Sequence, residues 1–250
     1  MPALRARTYL MAAAILALGW WAWVAAQNRN ALREIVERQC VVQWQETHSA
    51  GPCVRVVMPD ADGEKNGYAL LADRNGGAHF LLIPTRAISG IESADLLDPK
   101  TPNYFAAAWS AREELAGVVG RRLPRDVVGM AVNSRHARRQ DQLHIHLECL
   151  QPTIAASLRA SADRLTDDWI PIEVPGWHLF ATRVMGENLA QADPFKLLAG
   201  RLAGAKNALG DYSLLVAGMA FQAGPGFVLL AGTGPGSELL LDSSCAIAKP

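Results

Sequence analysis

The sequence has no excess of charge of either sign: 24 Lys and Arg balance 24 Asp and Glu among 250 residues. Arg5, Arg7 and Arg29 fall in the first 30 residues, which hold no acid, so the remainder carries 21 bases against 24 acids. That balance excludes the basic surface of a nucleic-acid binder. A low-complexity, disordered or collagen-like composition is also missing. Half of the residues are apolar, which calls for a packed core of one or two domains. There is no repeat of fixed period, no Cys-x-x-Cys pair and no His-Glu-x-x-His. Two Gly-Pro-Gly segments, 224–226 and 234–236, lack the helix-opening Lys-Ser/Thr pair of a phosphate loop and read as turns.

One long apolar run is present. Residues 8–26 contain no charge, and 19 residues at about 1.5 Å each span roughly 28 Å, the thickness of a hydrocarbon core. Arg5 and Arg7 precede the run, and Trp20, Trp21 and Trp23 crowd its far end, where indole rings favour the headgroup layer. The expectation is one N-terminal transmembrane helix within an anchor, residues 1–26. A cleaved signal peptide ending at Val24-Ala25-Ala26 is the alternative. A juxtamembrane helix and linker follow over 27–66, and a catalytic domain over 67–250. Four cysteines, none in a close pair, suit two disulfides in an oxidising compartment. The expected pairing is Cys40–Cys53 as a local closure and Cys149–Cys245 as a tie from a central strand to the C-terminus. Together these place the protein on the outer face of a bacterial inner membrane, spanning it once, with a periplasmic domain.

Helical spacing of Leu32, Ile35 and Val36 predicts a helix after the anchor. Residues 45–67 read as a polar linker. Tyr68–Ala72 and His79–Ile83 read as a hairpin about Asn75-Gly76-Gly77. Thr101-Pro102 predicts the start of a helix ending near Gly120. Strands are expected at 127–132, 143–149, 179–185, 213–220 and 227–231. Helices are expected through Ile154–Leu165 and from Asp193-Pro194 to Gly210. The fold class is α+β: an antiparallel sheet with packed helices.

The chemistry concentrates in Gln142-Leu143-His144-Ile145-His146-Leu147-Glu148-Cys149. The two-residue period of a strand puts Leu143, Ile145, Leu147 and Cys149 on one face and Gln142, His144, His146 and Glu148 on the other. Three readings compete for this row. It can be a polar sheet face. It can be a metal site, although His144, His146 and Glu148 supply only one strand's worth of ligands, so no metal or other cofactor is expected. Or it can hold a nucleophilic histidine, one ring nitrogen attacking phosphorus while a hydrogen bond fixes the other. The loop leading into the strand, with Asn133, Ser134, Arg135, His136, Arg138, Arg139 and Gln140, suits a diphosphate. His48, His79 and His178 read as structural or solvated, and Arg183 as a salt-bridge partner.

These residues resemble the histidine-triad superfamily, whose strand carries alternating histidines. With the N-terminal span, Leu82-Ile83-Pro84-Thr85, Gly90-x-Glu92-Ser93, Thr101-Pro102-Asn103-Tyr104-Phe105, Ala131-Val132-Asn133-Ser134-Arg135, Gln140, His144-Ile145-His146 and Asp193-Pro194-Phe195, the chain resembles the bacterial CDP-diacylglycerol diphosphatases over nearly its whole length. The resemblance implies a histidine-triad-like fold and hydrolysis of CDP-diacylglycerol, drawn from a lipid bilayer, to CMP and phosphatidate. It puts the nucleophile on His144 and the last histidine of the triad on His146. Gln142 stands where the first is found, a departure from the strict pattern. Asn133, Ser134, Arg135, Gln140 and Gln142 become the candidate phosphate contacts. Another nucleotide hydrolase or transferase of the same type, and a non-catalytic nucleotide-lipid binding module, are the rival functions.

Overall fold

The computed structural model describes residues 28–59, 63–74 and 76–249. After Asn28 the chain forms a helix in three continuous pieces, Ala31–Ile35, a π-helical stretch Val36–Val41, and Val42–Thr47. We call the whole α1. The stretch read as a linker is structured in part, carrying strand β1 (Arg55–Val57) and a single helical turn, Gly63–Asn66. Strands β2 (Tyr68–Ala72) and β3 (Phe80–Pro84) make the expected hairpin, with positive φ at Gly76 and Gly77.

Helices α2 (Tyr104–Ser110) and α3 (Arg112–Val119) follow, α3 ending on a left-handed Gly120. The cap of α2 is Asn103, two residues beyond Thr101, the cap expected of the Thr101-Pro102 pair. Its Oδ1 accepts from the Ala106 amide while its Nδ2 donates to the Leu189 and Ala192 carbonyls, so one side chain both starts the helix and ties down a distant loop.

Strands β4 (Val128–Val132) and β5 (Ile145–Leu150) come next, then α4 (Pro152–Ser161). The hairpin of β6 (Ile170–Val174) and β7 (Trp177–Met185) contains a strand, β6, that was not expected. Helix α5 (Pro194–Arg201), capped by Asp193, stops at Arg201 instead of Gly210, the remainder being short 3-10 turns. Strands β8 (Ser213–Phe221) and β9 (Gly224–Gly232) form the last hairpin. Gly224-Pro225-Gly226 lies inside β9 and not in a turn. The two-residue strand β10 (Leu241–Asp242) occupies the edge of β5 beyond the end of β3.

All strands pair antiparallel in one sheet, ordered β1-β2-β3-β5-β4-β8-β9-β7-β6. Read inward from its edges, β2-β3-β5-β4 and β6-β7-β9-β8 follow the same course: a hairpin, a helical connection, then two more antiparallel strands. The halves meet at the β4–β8 pair. This internal duplication of topology was not legible as a sequence repeat.

One face of the sheet buries Leu82, Met130, Ile145, Leu147 and Val216 against Phe105, Trp109 and Leu115 of α2 and α3 and Phe195 of α5. The opposite face is covered by different helices at its two ends. Ile154 and Leu158 of α4 pack on Leu215, Val228 and Leu230; Val36, Cys40 and Val41 of α1 pack on Ala69, Leu81 and Ile83. The disulfide Cys40–Cys53 staples α1 to the start of β1, and Cys149–Cys245 ties β5 to the C-terminal segment, the pairing expected from the sequence.

The expected N-terminal transmembrane helix requires correction. Among the described residues no helix is long and apolar enough to cross a membrane, and residues 8–26, on which that expectation rested, lie outside the described residues. The fold class is therefore an α+β antiparallel sheet with no spanning helix among the described residues. The single-pass inner-membrane localisation falls with the helix that was to supply it.

Candidate active site

The candidate site lies on the face of β5 between α1 and the second half of the sheet. Ile145 and Leu147 point into the core, so His144, His146 and Glu148 point the other way, as the alternation of the sequence requires. His146 pairs with Leu81 of β3 and Ala131 of β4. The small Ala131 leaves room on one side. On the same face of β9, in the duplicate half, Gly226, Val228 and Leu230 stand, so that half carries no imidazole row.

His144 is 9% exposed, and its Nδ1 lies 2.7 Å from the Gln142 carbonyl oxygen. A carbonyl only accepts, so Nδ1 carries the proton and Nε2 is left as the basic nitrogen. Burial lowers the pKa of His144, which keeps the ring neutral at pH 7.

His146 is fixed differently. Its Nδ1 is 3.1 Å from Nε2 of His79, and its Nε2 is 3.1 Å from a Glu238 carboxylate oxygen, though off the axis of a hydrogen bond. Nε2 of His79 also lies 3.2 Å from Glu148, and its Nδ1 faces Asp73 at 3.6 Å. Burial, with His144 and His79 close by, drives the His146 pKa well down. Burial outweighs Asp73 and Glu238 in lowering that of His79. Burial, with Glu238, Asp73 and Asp242 nearby, pushes the Glu148 carboxyl up to about 8.

A cleft of about 520 Å³ opens over these groups. Of the residues singled out from the sequence, His144, His146, Asn133 and Gln140 line it; Ser134, Arg135 and Gln142 do not. Arg135 pairs with Asp211 at 2.5 Å, outside the cleft, and His136 shares that carboxylate at 2.9 Å. Arg138 makes a two-pronged pair with Glu92, 2.7 Å for each contact. Gln140 accepts from the Leu32 amide, anchoring α1 across the loop. The Ser134 amide donates to Ser213 Oγ, and the Gln142 side chain clamps the end of β3. The cations that do line the cleft are Arg74 and Arg139, which make no ion pair among the described residues.

The comparisons with known proteins decide the family. Residues 27–249 match the family described as CDP-diacylglycerol pyrophosphatase. A curated relative named CDP-diacylglycerol pyrophosphatase, from Yersinia pestis, is 38% identical over 204 residues, covering 81% of this chain and 77% of the relative. The chain belongs to the CDP-diacylglycerol pyrophosphatase family. It is a hydrolase of a diphosphate bond, taking CDP-diacylglycerol to CMP and phosphatidate.

In this member of the pyrophosphatase family, two cleft residues escaped the sequence reading. His79 reads from the sequence as a hairpin histidine, yet it precedes β3, which pairs with β5, and it meets His146 across that pairing. The register of a predicted hairpin against the histidine strand would have found it. Glu238 had no signal of its own. It arrives behind Gly234-Pro235-Gly236, where a Cβ on Gly236 would sit 2.6 Å from Asn133 Oδ1. That same oxygen accepts from the Glu238 amide at 3.2 Å. Ser237 Oγ pins the turn to the Val132 and Leu214 carbonyls.

Proposed function

We propose that His144 is the nucleophile of the diphosphate cleavage. The observation that carries this reading is the 2.7 Å contact of its Nδ1 with the Gln142 carbonyl. It commits the proton to the far side of the ring and leaves Nε2 with its lone pair. The Nε2 lone pair attacks the phosphorus of the cytidylyl group, and the bond from that phosphorus to the bridging oxygen breaks. Phosphatidate leaves with the bond's electron pair, and the cytidylyl group remains on Nε2. Water then attacks the same phosphorus, the N–P bond breaks and its electrons return to the ring; CMP departs, and water's proton passes to a base in the cleft. Glu238, which lines the same cleft, is the base in this reading. One water is consumed and His144 is restored.

His146 stands beside the nucleophile, ring centroids 5.0 Å apart. Together with Asn133, Gln140, and Arg74 and Arg139, which make no ion pair among the described residues, it supports the non-bridging oxygens as their charge redistributes, the electrostatic contribution on which phosphoryl transfer depends. Arg135 and Arg138, spent on Asp211 and Glu92, act on the loop and not on the phosphate. Leu32, Ile35, Leu71 and Leu81 give the cleft an apolar wall, which suits the diacylglycerol end of a substrate presented in a bilayer or micelle.

The test is CMP release from CDP-diacylglycerol in mixed micelles, with wild type compared to His144→Ala. Loss of turnover by about 10⁴-fold or more, with an unchanged unfolding transition, is expected for removal of a nucleophile. Turnover near the wild-type rate would end the assignment.

A further inference from the structure

The cluster behind the nucleophile does more than order the strand. His79, His146 and Glu148 place one ligand-type atom each within 4.8 Å of one another. The separations are 3.1 Å between His79 Nε2 and His146 Nδ1, 3.2 Å between His79 Nε2 and Glu148 Oε1, and 3.9 Å between His146 Nδ1 and Glu148 Oε1. A circle through three points with these sides has a radius of about 2.0 Å. An ion about 2.1 Å from each, the Zn²⁺ distance to imidazole nitrogen and carboxylate oxygen, then sits about 0.6 Å above their plane. The angles at the ion are then about 95°, 99° and 136°, a distorted set of three tetrahedral corners.

Proton accounting points the same way. The outer nitrogen of each imidazole faces a carboxylate: His79 Nδ1 faces Asp73 at 3.6 Å and His146 Nε2 faces Glu238 at 3.1 Å. With the ring protons on those outer nitrogens, both inner nitrogens are bare. They then converge with the Glu148 oxygen on one point. A single proton bridges only two of the three, whereas a cation satisfies all of them. Neither contact is a hydrogen bond as it stands, but both carboxylates lie on the side where the second layer of a metal site is found.

We propose that His79, His146 and Glu148 bind one divalent cation of the zinc class, with Asp73 and Glu238 orienting the two imidazoles. Two nitrogens and one oxygen suit Zn²⁺ better than Mg²⁺ or Ca²⁺, which take oxygen ligands. Three protein ligands leave a fourth position open for water or an anionic oxygen. The single-strand objection, that β5 alone supplies too few ligands, is met by His79, the residue that leads into the neighbouring strand β3. His144 is not among the converging groups. The inference stands apart from the nucleophile assignment, because binding is measured without turnover.

The test uses the full chain, freed of metal with a chelator and titrated with Zn²⁺ against a chromophoric competitor; bound metal is also counted by plasma mass spectrometry after dialysis. One equivalent per chain is expected. His79→Ala and Glu148→Gln should each weaken binding by about 100-fold or more, and Asp73→Asn, which leaves all three ligands in place, by roughly 10–100-fold. His144→Ala should bind as wild type. Co²⁺ in place of Zn²⁺ should give the visible absorption of a tetrahedral centre, lost in His79→Ala. Less than a tenth of an equivalent of Zn²⁺ bound by folded wild type, or equal affinity in wild type, His79→Ala and Glu148→Gln, would overturn the proposal.

Discussion

Gln142 stands two residues before His144, and the structure gives it a job that truncation will expose. It is 1% exposed, and its Nε2 donates to the Pro84 carbonyl at 3.1 Å and the Arg86 carbonyl at 2.9 Å. Gln142→Ala removes two neutral buried hydrogen bonds worth about 1 kcal/mol each and strands both carbonyls. It also removes Oε1, a buried acceptor with no partner, which recovers part of the loss. The net cost is about 2–3 kcal/mol, a fall in Tm of roughly 5–10 °C for a domain of this size. Gln142→His keeps one donor and should fall about halfway, near 1 kcal/mol. Because the group that fixes His144 is the backbone carbonyl of residue 142, turnover of the folded Gln142→Ala variant should drop by less than about tenfold. Urea unfolding, read as a shifted midpoint at constant slope, gives the stability, and CMP release below the transition gives the activity. An unshifted midpoint would refute the clamp. A loss of turnover as deep as that of His144→Ala in a folded protein would move the side chain into the chemistry.

Two further outcomes follow from the loop before β5. Burial, the largest single influence, raises the Glu92 carboxyl, but the hydrogen bonds and charge of Arg138, with hydrogen bonds from Ser89 and its own backbone, together outweigh it and hold the carboxyl below the usual carboxylate range. The folded state therefore binds fewer protons than the unfolded one, and the stability Glu92 contributes is full above about pH 4.5 and lost as pH falls through its depressed folded value. Glu92→Gln should cost about 1–2 kcal/mol at neutral pH and flatten the acid limb of a urea-midpoint profile; an acid limb as steep as that of wild type would contradict the pairing. Arg139, which lines the cleft with no ion pair among the described residues, should matter to substrate, whereas Arg135, paired with Asp211 outside it, should not. Arg139→Ala is expected to lower kcat/KM by about tenfold, chiefly through KM, and Arg135→Ala to leave it within about twofold. The reverse order in steady-state assays would put the phosphate on the other side of the loop.

The sequence made legible whatever depends on local period or on a few strong residues. Strict alternation from Gln142 to Cys149 gave both the strand and the face on which His144 and His146 stand. Asn75-Gly76-Gly77 gave the first hairpin, Gly120 a helix end, and Asp193 a helix cap. The cysteine spacing gave both disulfides. What stayed hidden depends on tertiary register. β6 carries Pro171 and Glu173 among its apolar residues and is short, so its period is weak. The α5 signal ran on to Gly210 because the apolar residues beyond Arg201 are buried by 3-10 turns that propensity does not distinguish from helix. The charge of the Asn133–Asp141 loop was visible, but not that Asp211 and Glu92, distant in sequence, neutralise Arg135 and Arg138. His79 and Glu238 reach the cleft through strand pairing and a Gly-Pro-Gly turn, and neither leaves a periodic trace. The expected membrane span falls on residues 8–26, outside the described residues, and no described helix takes its place.

The central claim is that the cytidylyl group passes through His144, and the most direct measurement is to catch it there. Wild type mixed with CDP-diacylglycerol micelles, quenched in alkali within one turnover and digested for mass spectrometry, should show one cytidylyl group on the peptide carrying His144, at Nε2. The adduct should decay as CMP appears, and His144→Ala should form neither. A cytidylyl group on another residue, or CMP release by His144→Ala at the wild-type rate, would contradict the account.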